Sequence, residues 1–119
     1  MLFRSVEVDV KLALGQYTIE QAAKYLQTTV PMDATTALEE ASFFATSPGQ
    51  AITYQIGKIQ IMRFLADARR LKGANFDLRY FHDFVWKNGN VPLALQRWEF
   101  LGLKDEIELL DSRTRGGKK

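Results

Sequence analysis

The segment from Pro48 to about Lys72 constrains the fold most, because it has the pattern of one long helix with apolar residues on most sides. Ser47 suits an N-cap, Pro48 suits the first helical position, and Gln50 stands three residues after the cap, as in a capping box. A narrow polar strip interrupts the apolar surface: Thr53, Gln60 and Asp67. A helix this apolar needs neighbours on several sides. The sequence therefore predicts an all-α fold around a central helix at about 48–72.

Two shorter helices are predicted before it, each from a capping residue. Thr18 and Gln21 have the capping-box spacing, with apolar residues behind them. This helix should end before Pro31, because a residue that precedes proline avoids the helical region. Asp33 is a good N-cap for the next helix, which we expect to end near Thr46.

The segments after the long helix predict further helices. Asp77 can cap one that Asn88-Gly89 closes, and Asn90 can cap another that runs to about Leu101, with a proline in its first turn. Residues 104–110 are expected to form one or two helical turns. Proline occurs only at the boundaries of these segments, which favours an all-α fold.

The first apolar segment, residues 2–14, is ambiguous from its pattern alone. Val6, Val8 and Val10 alternate with the period of a strand, whereas Gly15 would end a helix well. If the segment is helical, the chain has five to six helices. We expect residues 1–111 to form a single helical domain, or the carboxyl-terminal part of a larger one, and residues 112–119 to form a flexible basic tail.

Composition places the chain among ordinary globular proteins. Of its 119 residues, 46% are hydrophobic and 25% are charged, which is enough apolar material for a core. No run of about 18 apolar residues occurs, so no membrane span is predicted. The first residues lack the long apolar region of a signal peptide, which leaves the compartment unknown. The absence of cysteine excludes disulfides and thiolate metal sites.

The basic character of the chain comes from its last eight residues. They carry four basic residues and no acid, and the remainder holds 12 basic and 14 acidic residues, a net charge of −2. No basic stripe with interleaved aromatic residues occurs. The sequence therefore predicts no nucleic-acid partner.

Several motifs, in one order and without large gaps, give the chain a family resemblance from about Leu2 to Leu101. They are Val8-Asp9-Val10-Lys11-Leu12, Tyr17-Thr18-Ile19-Glu20-Gln21-Ala22, Glu40, the signature Pro48-Gly49-Gln50-Ala51-x-x-Tyr54-x-x-Gly57, Phe76-Asp77-Leu78-Arg79-Tyr80-Phe81-His82-Asp83 and Val91-Pro92-Leu93. With these motifs the chain resembles the carboxyl-terminal portion of a large bacterial family, domain of unknown function 885, which is thought to be zinc-peptidase-like. The resemblance also implies a helix for residues 2–14.

Two positions depart from the family pattern. The family often has a histidine in the first helix, where this chain has Ala13. It often has Arg-Tyr before the signature, where this chain has Phe43-Phe44. Any hydrogen bond or charge that the histidine and arginine supply in relatives cannot be supplied by the same residues in this chain.

The zinc motif of the family is absent from the chain. The resemblance implies a His-Glu-x-x-Pro-Gly-His-His segment far upstream, whereas this chain has one histidine, His82. A zinc peptidase needs two such histidines, a third ligand and a general-base glutamate around an open coordination position. The sequence therefore predicts no metal and no cofactor in this chain, with zinc implied only for a longer protein.

Gln50, Tyr54 and Gly57 are separated by four and three residues and so share one face of the long helix. A tyrosine hydroxyl on such a face can donate to an oxyanion, and a nearby glycine permits close backbone approach. The resemblance implies that Tyr54 stabilises an oxyanion. Gln50 and Gly57, on the same face, are predicted to bind the substrate. The alternative is a core tyrosine, a helix-crossing glycine and a capping glutamine.

His82 is the second candidate for catalysis. Asp83 or a backbone carbonyl could orient it as an acid or a base. The alternative is a packing residue in an aromatic helix.

Two functions from different classes are compatible with these features. The first is the carboxyl-terminal helical segment of a zinc-peptidase-like protein, inactive alone, with a peptide substrate only in the longer protein. The second is a non-catalytic helical scaffold or dimerisation module. Aromatic residues concentrate in the last third of the chain and would be partly uncovered in a fragment. We therefore expect either a homo-oligomer or packing against upstream helices.

Overall fold

The computed structural model describes residues 2–116 and confirms the all-α prediction, since these residues contain no strand. They form seven α-helices rather than the five to six expected, with a 3-10 helix at Gly73–Asn75 after the fourth. The α-helices are α1 (Leu2–Ala13), α2 (Ile19–Thr29), α3 (Ala34–Thr46), α4 (Gln50–Lys72), α5 (Leu78–Lys87), α6 (Leu93–Leu101) and α7 (Asp105–Gly116).

Three predicted N-caps are present. Thr18 and Gln21 form the complete capping box of α2, in which each side chain accepts from the other residue's backbone N–H. The Asp33 carboxylate accepts from the Thr36 N–H at 3.0 Å. Asp77 accepts from the first N–H groups of α5. These caps satisfy donors that a helix start leaves without partners.

The start of the long helix differs from the prediction by two residues. Ser47 closes α3, with its N–H donating to the Phe43 carbonyl, and does not cap α4. Gly49 has φ +85°, a left-handed conformation that a helix cannot contain, so α4 begins at Gln50. The cap comes instead from Asp9 in α1.

The start of α6 also differs from the prediction. Asn90 does not cap it; the helix begins at Leu93, after Pro92, without a side-chain cap. Gln96 reaches back and donates to the Val91 carbonyl at 2.7 Å. The proline thus stands just before the helix rather than in its first turn.

The last helix is longer than the one or two turns expected, and it includes part of the predicted tail. Acidic residues occupy the first turn of α7 and Arg113 and Arg115 lie in its last turn, an arrangement that favours the helix dipole. Arg115 also pairs with Asp111 at 2.9 Å, one turn earlier. The rest of the predicted tail, residues 117–119, lies outside the described residues.

The chain divides into two compact units, the first ending at Lys58 and the second beginning at Ile59. The boundary lies within α4. In the first unit, α1, α2 and α3 pack against one another. Its core consists mostly of alanines around three larger side chains: Val8, Ala22, Ala23, Leu26, Ala37, Ala41, Phe44 and Ala51. A single domain over residues 1–111 stays a prediction.

The second unit has an aromatic core. Phe64 and Ala68 of α4 and Phe81 of α5 are buried there. Phe100 of α6 contacts the Phe64 and Phe81 rings edge-on, at centroid distances of 5.7 and 5.8 Å. Within the part of the chain that the structure describes, no helix has both the length and the apolar character needed to cross a membrane.

Candidate functional site

A buried carboxylate fixes the start of α4. Asp9 is only 1% exposed, and its two oxygens accept from the backbone N–H groups of Gly49 at 2.9 Å and Ala51 at 3.0 Å, with Ile52 at 3.4 Å. The first N–H groups of a helix carry a partial positive charge, so an anion suits this position. Asp9 therefore fastens α4 to α1 within the first unit.

The candidate substrate face lies on the first two turns of α4. Tyr54 is 62% exposed, and its hydroxyl has no hydrogen-bond partner among the described residues, so it does not lie in the core as the alternative supposed. Gln50 is half-buried, one turn before it. A Cβ added to Gly57 would meet no atom within 4 Å, so the space beside this glycine is open. The structure thus brings the three predicted residues onto one accessible helical face.

Two of the three residues that depart from the family pattern line one cleft of the first unit, and the third, Phe43, is exposed and does not line it. Ala13 of α1 and Phe44 of α3 both contribute to a cleft of about 430 Å³, together with Pro48 of the signature. The remaining lining residues are Leu12, Tyr17, Thr18, Ile19 and Ala45. Neither Ala13 nor Phe44 supplies a polar group to this cleft.

Sequence reasoning missed a polar cluster between α1 and α2. Lys11 donates to Glu7 at 2.8 Å and to the Tyr17 hydroxyl at 3.2 Å, and the Tyr25 hydroxyl donates to the other Glu7 oxygen. The hydrogen bonds from Lys11 and Tyr25 lower the pKa of Glu7, and the bond to Glu7 raises the pKa of Lys11. The i, i+4 spacing of Glu7 and Lys11 was the available signal.

His82 lies in the second unit, on the exposed side of α5. No hydrogen bond joins it to Asp83 among the described residues, and its ring packs edge-on against Phe81, 5.8 Å between centroids. Both His82 and Asp83 line an open cleft of about 690 Å³. We name it the Trp86 cleft; its other lining residues are Ile61, Val85, Trp86, Gly89 and Asn90.

The second unit contains a buried cation that the sequence did not reveal. Arg97 of α6 is 4% exposed and donates to Asp67 of α4 at 2.7 Å and to Asp105 of α7 at 2.8 and 3.0 Å. These hydrogen bonds lower the pKa of both carboxyl groups. Because Arg97 ties three helices together, its role is to hold this unit rather than to meet a substrate.

The residues present do not fit the zinc site that the resemblance implies for a longer protein. Within residues 2–116 no three His, Cys, Asp or Glu side chains are grouped as metal ligands. The polar clusters described above pair acids with bases, which leaves no set of convergent lone pairs. No step of a reaction is assigned to a metal in this chain.

Large apolar side chains are exposed in both units. The first unit exposes Phe3, Leu14, Leu38, Phe43, Tyr54 and Ile56, among others. The second exposes Ile59, Met62, Leu71, Tyr80, Trp86 and Leu110, among others. Apolar surface of this kind favours contact with other protein surfaces. The homo-oligomer and the packing on upstream helices both stay predictions.

Comparison with known proteins supports the family resemblance. No curated protein and no solved structure matches the chain. The model of one protein family, described as a bacterial protein of unknown function (DUF885), matches residues 2–98. That match covers most of the chain, including the Asp9 cap, the signature and the helix that carries His82. The chain therefore belongs to the DUF885 family of bacterial proteins of unknown function.

Proposed function

We propose that this chain is the carboxyl-terminal helical segment of a zinc-peptidase-like protein, forms part of the wall of its substrate cleft, and is inactive alone. The observation that carries the proposal is the accessible face of Gln50, Tyr54 and Gly57 at the anchored start of α4. Membership of the DUF885 family supports the parentage.

In this proposal Tyr54 acts on the substrate through its hydroxyl. When water adds to a peptide carbonyl, the oxygen gains negative charge, and the Tyr54 O–H donates a hydrogen bond to it. Such a donor acts best when it is already in position, and Asp9 holds the helix that carries it. Open space at Gly57 admits the peptide backbone, and the Gln50 amide offers a donor and an acceptor beside it.

His82 is a second proposed participant, as an acid or base. Its exposure at the Trp86 cleft leaves its ring nitrogens accessible to a ligand. Asp83, which follows it in sequence, makes no hydrogen bond to it, so in this role His82 acts without one of the two orienting groups that the sequence suggested.

A non-catalytic scaffold or dimerisation module is the second candidate function. The exposed apolar residues of both units favour it, because a dimer would cover them. Under this alternative the accessible Tyr54 is an interface residue and takes no part in hydrolysis.

Three measurements test the proposal. The coding sequence upstream of Met1 is determined, and zinc content and peptide hydrolysis are measured on this chain alone. If the proposal is correct, the reading frame continues upstream into a His-Glu-x-x-Pro-Gly-His-His segment. The chain alone then shows neither stoichiometric zinc nor turnover. A stop codon and promoter directly upstream would support the scaffold. Tightly bound zinc with turnover from this chain would contradict both candidates.

A further inference from the structure

Trp86 lies unusually exposed beside an acidic group in the second unit. The side chain is 86% exposed at the end of α5 and forms one wall of the Trp86 cleft. Large aromatic rings exposed in this way commonly mark contact sites for other molecules. Asp83 stands three residues earlier on the same helix, so both side chains lie on one face.

The other tryptophan of the chain has a cation over its ring. Trp98 on α6 is 45% exposed, and the Lys104 ammonium lies over its ring, 4.6 Å from the centroid. Lys72 covers the Phe100 ring in the same way at 4.3 Å. A cation over an aromatic face is attracted by the electron density of the ring. Trp86 has no such cation among the described residues.

The Trp86 cleft also has one carboxylate in its lining, that of Asp83. Asp83 is exposed and forms no ion pair among the described residues, although Arg79 and Lys87 stand four residues before and after it on α5. The charge of the cleft wall therefore favours a cation. His82 and Asn90, the other polar residues of the cleft, offer hydrogen-bond donors and acceptors but no second carboxylate.

The rest of the cleft suits an aliphatic stem. Ile61 of α4 and Val85 of α5 contribute apolar walls beside the indole. The volume of about 690 Å³ falls within the roughly 300–1,000 Å³ that is usual for ligand sites. Lysine and arginine combine an apolar stem with a terminal cation, which matches a lining that combines apolar side chains with one carboxylate.

We propose that the Trp86 cleft binds the side chain of a lysine or arginine residue in a peptide. The stem lies against Ile61 and Val85, the cation lies over the Trp86 ring, and the Asp83 carboxylate pairs with it. His82, an acid or base in the proposed function, lines the same cleft. The binding proposed here needs neither metal nor hydrolysis, so its test can fail while the proposed function holds, and the reverse.

The test uses Nα-acetyl-lysine N-methylamide as the probe and its norleucine counterpart as the uncharged control. Both are titrated into the full chain at pH 7.5 and low salt, and the two indole N–H signals are followed by NMR. We expect the lysine probe to shift the Trp86 signal with a dissociation constant on the order of 1 mM, and the norleucine probe to bind at least about tenfold more weakly. The Trp98 signal should stay in place.

Variants separate the two contacts. Asp83→Asn should weaken the lysine probe about fivefold at low salt and leave the norleucine probe unchanged. Trp86→Leu keeps an apolar side chain but should abolish saturable binding, which the chemical shift of the Val85 methyl groups reports. Glu99→Gln is the matched control, because it removes an exposed acid of a different helix, α6. It should leave the binding of both probes unchanged. Equal binding of both probes, equal shifts at both tryptophans, or an unaffected Asp83→Asn would overturn the proposal.

Discussion

The two units of the chain stabilise their helices by opposite means. The first unit has a core of small side chains, and its buried charge is a carboxylate that accepts from backbone N–H groups. The second has a core of phenylalanines, and its buried charge is a guanidinium that donates to side-chain carboxylates. Because alanines let helix backbones approach closely, we expect the stability of the first unit to depend on how its helices begin and how they are capped. We expect the stability of the second unit to depend on how its aromatic rings pack.

We expect the largest effect on stability in the aromatic core of the second unit. Phe81→Ala should destabilise the protein by about 3–5 kcal/mol, because it removes a buried ring that contacts Phe64 and Phe100. Urea unfolding measures the change, and hydrogen exchange should show the loss at α5 and α6. Phe43→Ala is the control, since that ring is exposed in the first unit, and it should cost little. Equal losses from both substitutions would contradict the assignment of Phe81 to a buried aromatic core.

The buried carboxylate of the first unit should give the next largest effect. Asp9→Ala leaves the Ala51 N–H buried without its acceptor and removes the anion at the start of α4, at a cost of about 2–3 kcal/mol. Asp9→Asn keeps one acceptor oxygen and should cost less. Hydrogen exchange at Ala51 and Ile52 is expected to accelerate in both variants. Unchanged exchange at these amides would show that another group caps the helix.

Acid should weaken the second unit through its ion pairs. Arg97 lowers the pKa of Asp67 and Asp105 below the ordinary value near 3.8, so the stabilisation is complete above that value and is lost as pH falls through the lowered pKa. Because both carboxylates are partly exposed, the free energy of unfolding should fall by about 1–2 kcal/mol between pH 5 and pH 2. Arg97→Met should make the free energy of unfolding less dependent on pH in this range, because Asp67 and Asp105 lose their partner. A pH dependence as steep in the variant as in the parent protein would contradict the assignment.

The smallest effect is expected at a local cap of the first unit. Thr18→Ala removes the side-chain acceptor of the Gln21 N–H and half of the capping box, which should cost about 0.5–1 kcal/mol. Thr35→Ala, at an exposed position of α3, is the control and should lie near zero. Thermal unfolding monitored by circular dichroism is sensitive enough for the difference. If the two variants are indistinguishable, the box contributes nothing measurable.

Which features could be predicted from sequence depends on whether their contacts are local or distant in the chain. The starts of α2, α3 and α5 depend on residues within three positions of the helix, so Thr18, Asp33 and Asp77 were recognisable. The start of α4 depends on Asp9, about 40 residues earlier, and was assigned to Ser47 because the local pattern alone favoured it. Asp9 stands between Val8 and Val10 in α1, and no spacing rule relates it to the start of α4.

The candidate sites follow the same division. Helical spacing sufficed to place Gln50, Tyr54 and Gly57 on one face, because that relation is local. The exposure of Tyr54 could not be predicted, because it depends on which surfaces pack against α4. Arg97 and its two carboxylates come from three helices, and no spacing rule relates them.

Turnover by Tyr54 variants tests the central claim most directly. The polypeptide encoded by the whole reading frame is assayed for peptide hydrolysis with Tyr54→Phe and with Tyr80→Phe, a tyrosine of similar exposure at 60%. We expect Tyr54→Phe to lower kcat about 100-fold or more with little change in KM, because only the hydrogen bond to the developing oxyanion is lost. Tyr80→Phe should retain full activity. A kcat that is unchanged in Tyr54→Phe, or lowered equally in both variants, would contradict the account.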